Sequence, residues 1–374
     1  MDRQRLFNLA LKAFLFLSPI FFFRMYQLSL ARGMFFLFGS FALFGISLLN
    51  EPKRKLSNAW LALILLAGLL RVFVGNTFTN ASAEWFNFWL SSAGFIYLFA
   101  GILLFHTVYC HAENIKQYLT PILAVCILNL VLVIAQLTGH DFMWTNAPSF
   151  CGFMSISSQL GQYSALSVPL AFSISPYLAV IPLVTLFLSK SVSAILAVFI
   201  GAGFWIWKKV YTWKEAWIKI GTLLIILLAL VGFNHKYITQ KWQCRPVMWE
   251  KTTRAILQRP YLGHGYRSFT EVVVQPGAKS SLGAVEFSRC HNDPLHTAQE
   301  LGVPIVLFIA GFLISLGKKF KAAKKDALTY LLAASVLIAL VNCCGQTLIR
   351  YAEISGTFIV LLALLSIKLE GQNS

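Results

Sequence analysis

The sequence predicts an all-α fold: a polytopic membrane helical bundle of about 12 transmembrane helices with a large outer-face loop that contains short helices. Hydrophobic residues make up 57% of the 374 residues and charged residues only 12%, whereas a soluble domain carries about 25% charged residues. The mean hydropathy is +0.70, and many apolar runs approach the roughly 20 residues that cross a bilayer. We therefore expect residues 1–374 to form a single membrane domain.

The apolar runs give the order of the transmembrane helices. The first run follows a short basic segment, has no small-residue cleavage site and precedes further spans, so we interpret it as an anchor rather than a signal peptide. The shortest runs flank Pro176 and Lys190. The predicted spans are 6–23, 33–49, 57–74, 88–108, 118–137, 159–174, 177–189, 191–207, 217–233, 301–316, 327–343 and 353–368.

Basic residues predict the orientation of these spans, because lysine and arginine collect in cytoplasmic loops. The net charge is +17, and more than half of the 31 Lys and Arg residues fall on one side if the N-terminus is cytoplasmic. The pattern predicts a multi-pass protein with both termini cytoplasmic and residues 234–300 as a large periplasmic loop. Topology thus explains most of the positive charge, and no nucleic-acid partner is expected.

The long loop 234–300 is itself basic, with more Lys and Arg than Asp and Glu residues. Long loops are exempt from the positive-inside rule, so this excess is permitted. A basic outer surface next to lipid suits an anionic ligand that carries phosphate groups. Attraction to the anionic head groups of membrane lipids is the alternative explanation.

Two local patterns stand out within this loop. Residues 246–258 are predicted to form a short helix in the membrane interface, with Pro246 at its first position and Arg259-Pro260 at its end. Gly263-His264-Gly265 permits a tight turn with close backbone approach. The predicted apolar face of the helix is formed by Met248, Trp249, Thr252, Ala255 and Ile256, and the polar face by Lys251, Arg254 and Gln258.

The segment from His291 to Gly302 is a polar stretch with two histidines that leads into an apolar run. Asp293-Pro294 predicts a helix start, with Asp293 as the N-cap. The positive end of that helix disfavours imidazolium and so favours His291 as a neutral general base. The same helix end, with nearby Arg289, is suited to a phosphate. The alternatives are a capping or solvated role for His291 and a packing role for His296.

Other catalytic patterns are missing from the sequence: there is no P-loop, H-E-x-x-H, G-x-S-x-G or D-x-D motif. We therefore expect neither a metal nor another cofactor. An outer-face enzyme lacks ready access to nucleotides, so its energy should already be stored in the substrate, as in a lipid-linked diphosphate. The seven cysteines include no C-x-x-C pair, although Cys244 and Cys290 directly precede Arg245 and His291 and are candidates for a disulfide.

Four short motifs, in this order, resemble the O-antigen ligase and polymerase superfamily. The resemblance covers residues 150–315, which we expect to be the O-antigen ligase-like core. The motifs are R-x-x-x-W at Arg245–Trp249, P-x-x-G-x-G-x-x-x-F at Pro260–Phe269, H-N-x-x-L at His291–Leu295 and E-x-G at Glu300–Gly302.

The resemblance implies an inverting, metal-independent glycosyltransferase in the bacterial inner membrane. It would use a polyprenyl-diphosphate-linked glycan as donor and a lipid A-core or other outer-face glycan as acceptor. His291 would be the base that deprotonates the acceptor hydroxyl, and Arg245 would bind the donor diphosphate. The family often has arginine where Lys190 stands, and lysine lacks its bidentate fork. The predicted substrate-binding residues are Lys190, Arg267, Arg289, Asn292, Gly263 and Gly265.

Three other functions remain open at this point. A polysaccharide polymerase of the same superfamily would need the same base, arginine and lipid-facing groove. A transporter or flippase would instead show intramembrane charges or broken, repeated helices around a midplane site, and the sequence has few such charges. A purely structural assembly factor is the third alternative.

Overall fold

The computed structural model describes residues 2–20, 28–56, 58–74, 81–140, 151–154, 156–209, 244–266, 268–269, 272–273, 290–323 and 326–370. Every regular element within these ranges is helical, as the predicted fold class requires. The helices are α1 Arg3–Ile20, α2 Leu28–Ser47, α3 Ala59–Val74, α4 Ala81–His111, α5 Leu119–Leu137 (preceded by a 3₁₀ turn, Ile115–Tyr118), α6 Ser157–Ile174, α7 Val180–Leu188, α8 Val192–Lys209, α9 Cys244–Gln258, α10 Asp293–Leu301, α11 Val303–Ala322, α12 Ala327–Gly345 and α13 Ala352–Glu370.

The apolar helices define a multi-pass membrane protein. Within the described ranges, three helical segments have the length and composition to cross a membrane: Ile115–Leu137, Val303–Ala322 and Ala327–Gly345. Four shorter apolar helices accompany them: Gly33–Ser47, Ala59–Val72, Phe95–His111 and Val192–Ile206.

Each predicted span that the structure describes overlaps a helix. The span predicted at 217–233 lies outside the described residues. The span predicted at 177–189 needs correction, because α7 has only nine residues. At about 1.5 Å per residue, such a helix falls well short of the roughly 30 Å hydrocarbon core. It ends in a turn at Lys190 that leads directly into α8.

Helix α13 lies at the centre of the bundle and packs against α1, α2, α4 and α12. Nearly all of its described side chains are buried, including Leu361 and Leu364 at 0% exposure. A helix that is apolar on all sides is stable only when other helices surround it. Helix α12 in turn packs against α6 and α8, so it connects the central helix to the second half of the bundle.

One end of the bundle brings together the segments that were predicted to share the cytoplasmic side. Arg3 donates to the carbonyl of Leu49 (3.1 Å), and Gln4 donates to the carbonyl of His111 (3.0 Å). The carboxyl end of α13 lies at the same end, since Tyr109 hydrogen-bonds Glu370. Ion pairs close this end: Lys319 with Glu370 at 2.5 Å and Lys368 with Asp326 at 2.8 Å.

Candidate functional site

The opposite end of the bundle is formed by the connection between α12 and α13, together with α9 and α10. Asp293 accepts hydrogen bonds from the backbone N–H of Leu348 (2.6 Å) and of Ile349 (2.9 Å). Two backbone donors thus fix this connection to the first turn of α10. Burial raises the pKa of Asp293, although both donors and the nearby Arg350 oppose that shift.

The N-cap of α10 is Asn292 rather than Asp293, which corrects the sequence prediction. The Asn292 side chain accepts from the backbone N–H of Leu295 at 3.0 Å. This is the usual N-cap hydrogen bond to the third helical residue. Asp293 therefore occupies the first helical position, with Pro294 next. Its carboxylate is left to accept from the α12–α13 connection.

Helix α9 has the two faces that the sequence predicted, but its apolar face packs on protein rather than on the membrane interface. Met248, Trp249 and Ala255 contact a small core that includes Phe269, Val273, Cys290 and Leu295. Trp249 also donates its indole N–H to the carbonyl of Cys290 at 3.0 Å. The interfacial placement of this apolar face was therefore wrong, because α10 covers it. The helix begins at Cys244, two residues before the predicted start.

Three of the predicted site residues attach to the carboxyl end of α12. Arg245 Nη1 donates to the carbonyl of Gly345 at 2.6 Å, and Asn292 Nδ2 donates to the carbonyl of Cys344 at 3.0 Å. His291 Nδ1 lies 2.9 Å from Oε1 of Gln346. We call these residues, Arg245, His291, Asn292 and the Cys344–Gln346 segment, the His291 cluster.

The Arg245 side chain is 6% exposed, and burial lowers the pKa of its guanidinium. A buried arginine is usually paired, because taking a charge out of water is costly. The Gly345 carbonyl supplies a partial negative charge to one of its nitrogens. This contact also orients the Arg245 side chain toward the carboxyl end of α12.

Lys190 and His291 are the only non-glycine residues with positive φ within the described ranges, at 52° and 54°. This left-handed conformation costs about 1–2 kcal/mol for a residue with a Cβ atom. Strained backbone of this kind is concentrated at functional sites. Lys190 is exposed at the turn between α7 and α8, whereas His291 directly precedes the N-cap of α10.

The amino end of α8 lies beside Arg245. A Cβ atom built on Gly345 would lie 3.4 Å from Cβ of Ser193 and 4.0 Å from Nη1 of Arg245. The carbonyl of Ser191 accepts the first helical hydrogen bond, from Ile195 at 3.0 Å. The hydroxyls of Ser191 and Ser193 are buried and make no hydrogen bond with any residue that the structure describes. A buried helix start whose serine does not cap it is able to bind an anion.

The Gly263-His264-Gly265 turn approaches the backbone of α10 closely, as the sequence predicted for this turn. The N–H groups of His264 and Gly265 donate to the carbonyls of Gln299 and Glu300, both at 2.8 Å. Gly263 has φ +63°, and a Cβ on it would lie 2.5 Å from the Glu300 carbonyl. The turn therefore satisfies the last carbonyls of α10, and a role of either glycine in donor binding stays a prediction.

Glu300 forms a buried ion pair that the sequence did not predict. Its carboxylate lies 2.9 Å from Nη1 of Arg350 and 3.3 Å from Nε2 of His296. Burial alone would raise the pKa of Glu300, but Arg350 and His296 outweigh that effect and lower it. His296 also stacks on Phe269 with 4.4 Å between ring centres, in agreement with the packing role considered for it.

Two predicted substrate-binding arginines, Arg267 and Arg289, lie outside the described residues, as does the side chain of Cys244. Cys290 is a free buried thiol, so the predicted disulfide is not formed. Burial raises the pKa of this thiol to about 11, which keeps it protonated at neutral pH. Among the residues that the structure describes, no group of three or more His, Cys, Asp or Glu side chains is placed to hold a metal ion.

The architecture and the His291 cluster define the class: a multi-pass helical membrane protein with a polar site at one end of the bundle. Residues 177–310 match the family model described as O-antigen ligase. This part of the chain is therefore an O-antigen ligase family domain, as the resemblance predicted. Members of this family are membrane glycosyltransferases of the ligase or polymerase type. No curated protein matches the chain.

Gln346, Ser193 and Arg350 are neighbours of the predicted site that the sequence did not indicate. Each lies at the end of an apolar run, where a polar residue is ordinarily explained as a membrane boundary. Gln346 and Arg350 also lie beyond the region that the family model matches. Their contacts depend on how the α12–α13 connection folds against α10, which no local pattern encodes.

Proposed function

We propose that this protein is an inverting, metal-independent glycosyltransferase of the O-antigen ligase type. It would move a glycan from a polyprenyl-diphosphate carrier to a hydroxyl of an outer-face acceptor such as lipid A-core. The observation that carries this proposal is the His291 cluster: Arg245 in α9, together with His291 and Asn292 just before α10, contacts three consecutive residues, Cys344–Gln346, at the carboxyl end of α12. The family match over residues 177–310 supports the same reaction class.

In this reaction His291 acts as the general base. Its ring takes the proton of the acceptor hydroxyl as the acceptor oxygen forms a bond to the anomeric carbon of the donor. The bond from that carbon to the diphosphate oxygen breaks on the opposite face, and its electron pair leaves with the diphosphate. The configuration at the anomeric carbon is therefore inverted. A diphosphate is a good leaving group, so cations that stabilise its charge replace a general acid.

The amino end of α8 and Arg245 are the proposed binding site for the donor diphosphate. The first-turn amides of α8 and the partial positive charge of its dipole favour an anion. The hydroxyls of Ser191 and Ser193 have donors to offer, because they make no hydrogen bond in the described structure. Arg245 lies beside Ser193 across Gly345, and Lys190 precedes Ser191 in the turn. Together they would supply two cations and several neutral donors.

The proposed orientation places the His291 cluster on the periplasmic face of the inner membrane and both termini in the cytoplasm. The lysines at the carboxyl ends of α11 and α13 support it, because Lys319 and Lys368 form their ion pairs at the end of the bundle opposite to the cluster. Lysine-rich connections favour the cytoplasmic side. A reporter fused after Glu370 that proved to be periplasmic would contradict this orientation.

The test of the proposal is glycan transfer in membranes that contain His291→Ala or Arg245→Ala protein. A general base contributes about 10²–10⁴-fold, so His291→Ala should lose most activity at equal expression. Suitable matched controls are His140→Ala and Arg254→Ala, because both side chains are exposed and lie outside the cluster. Near wild-type transfer by both cluster variants would show that the proposed site is wrong.

A polymerase that joins repeat units on the same carrier would use the same base and cations. Deletion of the gene separates the two activities. Loss of a ligase leaves long chains on the polyprenyl carrier, whereas loss of a polymerase leaves single repeat units on the acceptor. We expect the ligase outcome.

A further inference from the structure

We propose that Gln346 is a positioning residue that fixes the tautomer and orientation of the His291 imidazole. This inference rests on the proposed function, in which His291 is the base. It extends that function to a residue beyond the matched family domain, which ends at residue 310. The observation behind it is the 2.9 Å contact between His291 Nδ1 and Gln346 Oε1.

The chemistry of this contact determines which ring nitrogen is the base. An amide oxygen has lone pairs and no proton, so it accepts only. Nδ1 must therefore carry the hydrogen and donate it to Gln346. In a neutral imidazole the lone pair then lies on Nε2, on the far side of the ring from Gln346. The contact thus selects the tautomer in which Nε2 is free of hydrogen and receives the proton from the hydroxyl of the glycan acceptor.

Gln346 is suited to hold a ring in place because its own backbone is fixed. Its N–H donates to the carbonyl of Asn342 at 2.7 Å, and its side chain is 8% exposed. The two preceding carbonyls, of Cys344 and Gly345, are held by Asn292 and Arg245. His291 itself has a left-handed backbone with φ 54°. The side-chain contact therefore orients a residue whose backbone alone would favour other conformations.

A neutral acceptor also suits a site that must bind a diphosphate. A carboxylate at position 346 would orient the ring equally well, but it would add negative charge close to Arg245. Within the described residues, the charged and titratable groups whose contacts place them near this pair are Arg245 on α9, Asp293 on α10, Cys343 and Cys344 on α12, and Arg350 on the α12–α13 connection. The neutral amide of Gln346 orients His291 without adding negative charge beside Arg245.

The test compares Gln346→Met and Gln346→Glu with the wild-type protein in full-length form, with rates of glycan transfer measured from pH 5 to pH 9. Gln346→Met removes the side-chain oxygen that accepts the hydrogen bond from His291 Nδ1–H, while the side-chain volume stays similar. It should lower kcat on the order of 10- to 100-fold with little change in KM for the donor, since an orienting contact acts on the base and not on donor binding.

Gln346→Glu keeps an acceptor for Nδ1–H and adds a negative charge beside the ring. It should retain transfer at high pH and move the acid limb of the pH profile upward by about 1–3 pH units, because a carboxylate stabilises imidazolium. The matched control is Gln258→Glu, which adds the same charge on the exposed face of α9 and should leave the profile unchanged.

Two results would overturn the inference while leaving His291 as the base. One is an inactive His291→Ala protein combined with a wild-type rate for Gln346→Met. The other is a Gln346→Glu profile whose acid limb does not move, which would reduce Gln346 to a structural role. An active His291→Ala protein would instead refute the proposed function itself. If Gln346→Met fails to fold, the Gln346→Glu profile alone still decides the question.

Discussion

Arg245 and His291 hydrogen-bond to neighbouring residues at the carboxyl end of α12, Arg245 to the carbonyl of Gly345 and His291 to the side chain of Gln346, which follows the helix. One helix end therefore sets the distance between the proposed diphosphate-binding arginine and the proposed base. Helices α9 and α10 also pack directly against each other. Small shifts of α12 should consequently affect both residues together.

The exposed Lys190 is predicted to contribute to binding of the donor diphosphate. Lys190→Ala should raise the KM for the donor by about 10- to 100-fold, the equivalent of one charge-assisted hydrogen bond of about 1.5–3 kcal/mol. Lys190→Arg should retain or improve the wild-type KM, because guanidinium binds phosphate through two parallel bonds. Lys251→Ala, on the exposed face of α9, is the control. An unchanged KM for Lys190→Ala would exclude this contact.

The buried hydroxyl of Ser193 is predicted to donate to the same diphosphate. Ser193→Ala should raise the donor KM by about 10-fold and leave thermal stability unchanged, since this hydroxyl makes no hydrogen bond within the described protein. Ser173→Ala provides the contrast, because the Ser173 hydroxyl donates to the carbonyl of Leu170 at 2.6 Å. That variant should leave donor kinetics at the wild-type value. Equal kinetics for both variants would remove Ser193 from the donor site.

Asp293→Ala should destabilise the protein and also lower transfer. The substitution leaves the N–H groups of Leu348 and Ile349 without their acceptor. The Leu348 group is buried, which makes its loss worth about 1–3 kcal/mol, and the partly buried Ile349 group adds less. Thermal melting of the protein in detergent measures the loss of stability. In Asp326→Ala, the control, the N-cap of α12 and the ion pair with Lys368 are lost at the opposite end, which together costs about 1–2 kcal/mol. That control should melt slightly earlier but retain transfer.

The ion pair between Glu300 and Arg350 should make stability depend on pH. The pKa of Glu300 lies below its ordinary 4.5, so its ionised form stabilises the fold above that pH. This contribution is lost as the pH falls below 4.5 and through the lowered value. Melting temperatures measured between pH 3 and pH 7 should therefore fall steeply at the acid end, and less steeply for Glu300→Gln. Equal slopes for the two proteins would contradict this assignment.

The same pair gives a prediction at neutral pH. Arg350→Met should destabilise by about 3–5 kcal/mol, because it leaves a buried carboxylate without its main partner. Lys53→Met breaks the exposed pair with Glu113 and should cost at most about 1 kcal/mol. Comparable melting temperatures for the two variants would show that burial of Glu300 does not have the expected energetic effect.

Gly302→Ala should be more damaging than Gly139→Ala, although both glycines have positive φ, 89° and 86°. A Cβ on Gly302 would lie 2.1 Å from the carbonyl oxygen of Tyr261, whereas a Cβ on Gly139 would have no atom of the described residues within 4 Å. Gly139→Ala should therefore be destabilised only by the cost of a Cβ-bearing residue with positive φ, about 1–2 kcal/mol. Gly302→Ala must also separate the 260–265 turn from α10. Expression level and melting temperature compare the two variants.

Much of this arrangement follows from local sequence. The apolar runs gave the helices, and the motifs gave Arg245, His291 and Asn292, which the fold brings to one place. Two local predictions failed. The apolar face of α9 was assigned to the membrane interface, but it packs on a core that includes Cys290 and Leu295. Asp293 was assigned to the N-cap, but the adjacent Asn292 caps α10 and Asp293 accepts from the distant α12–α13 connection.

Local sequence was sufficient to identify a helical membrane protein with a family motif around His291, because hydrophobic length and residue spacing act within one segment. The contacts of these residues follow from the packing of the helices. The Gln346 acceptor, the amino end of α8 beside Arg245 and the Arg350–Glu300 pair all join segments far apart in the chain. Such contacts depend on how helices pack, and the polar residues that make them lie at helix ends where local patterns indicate only a boundary.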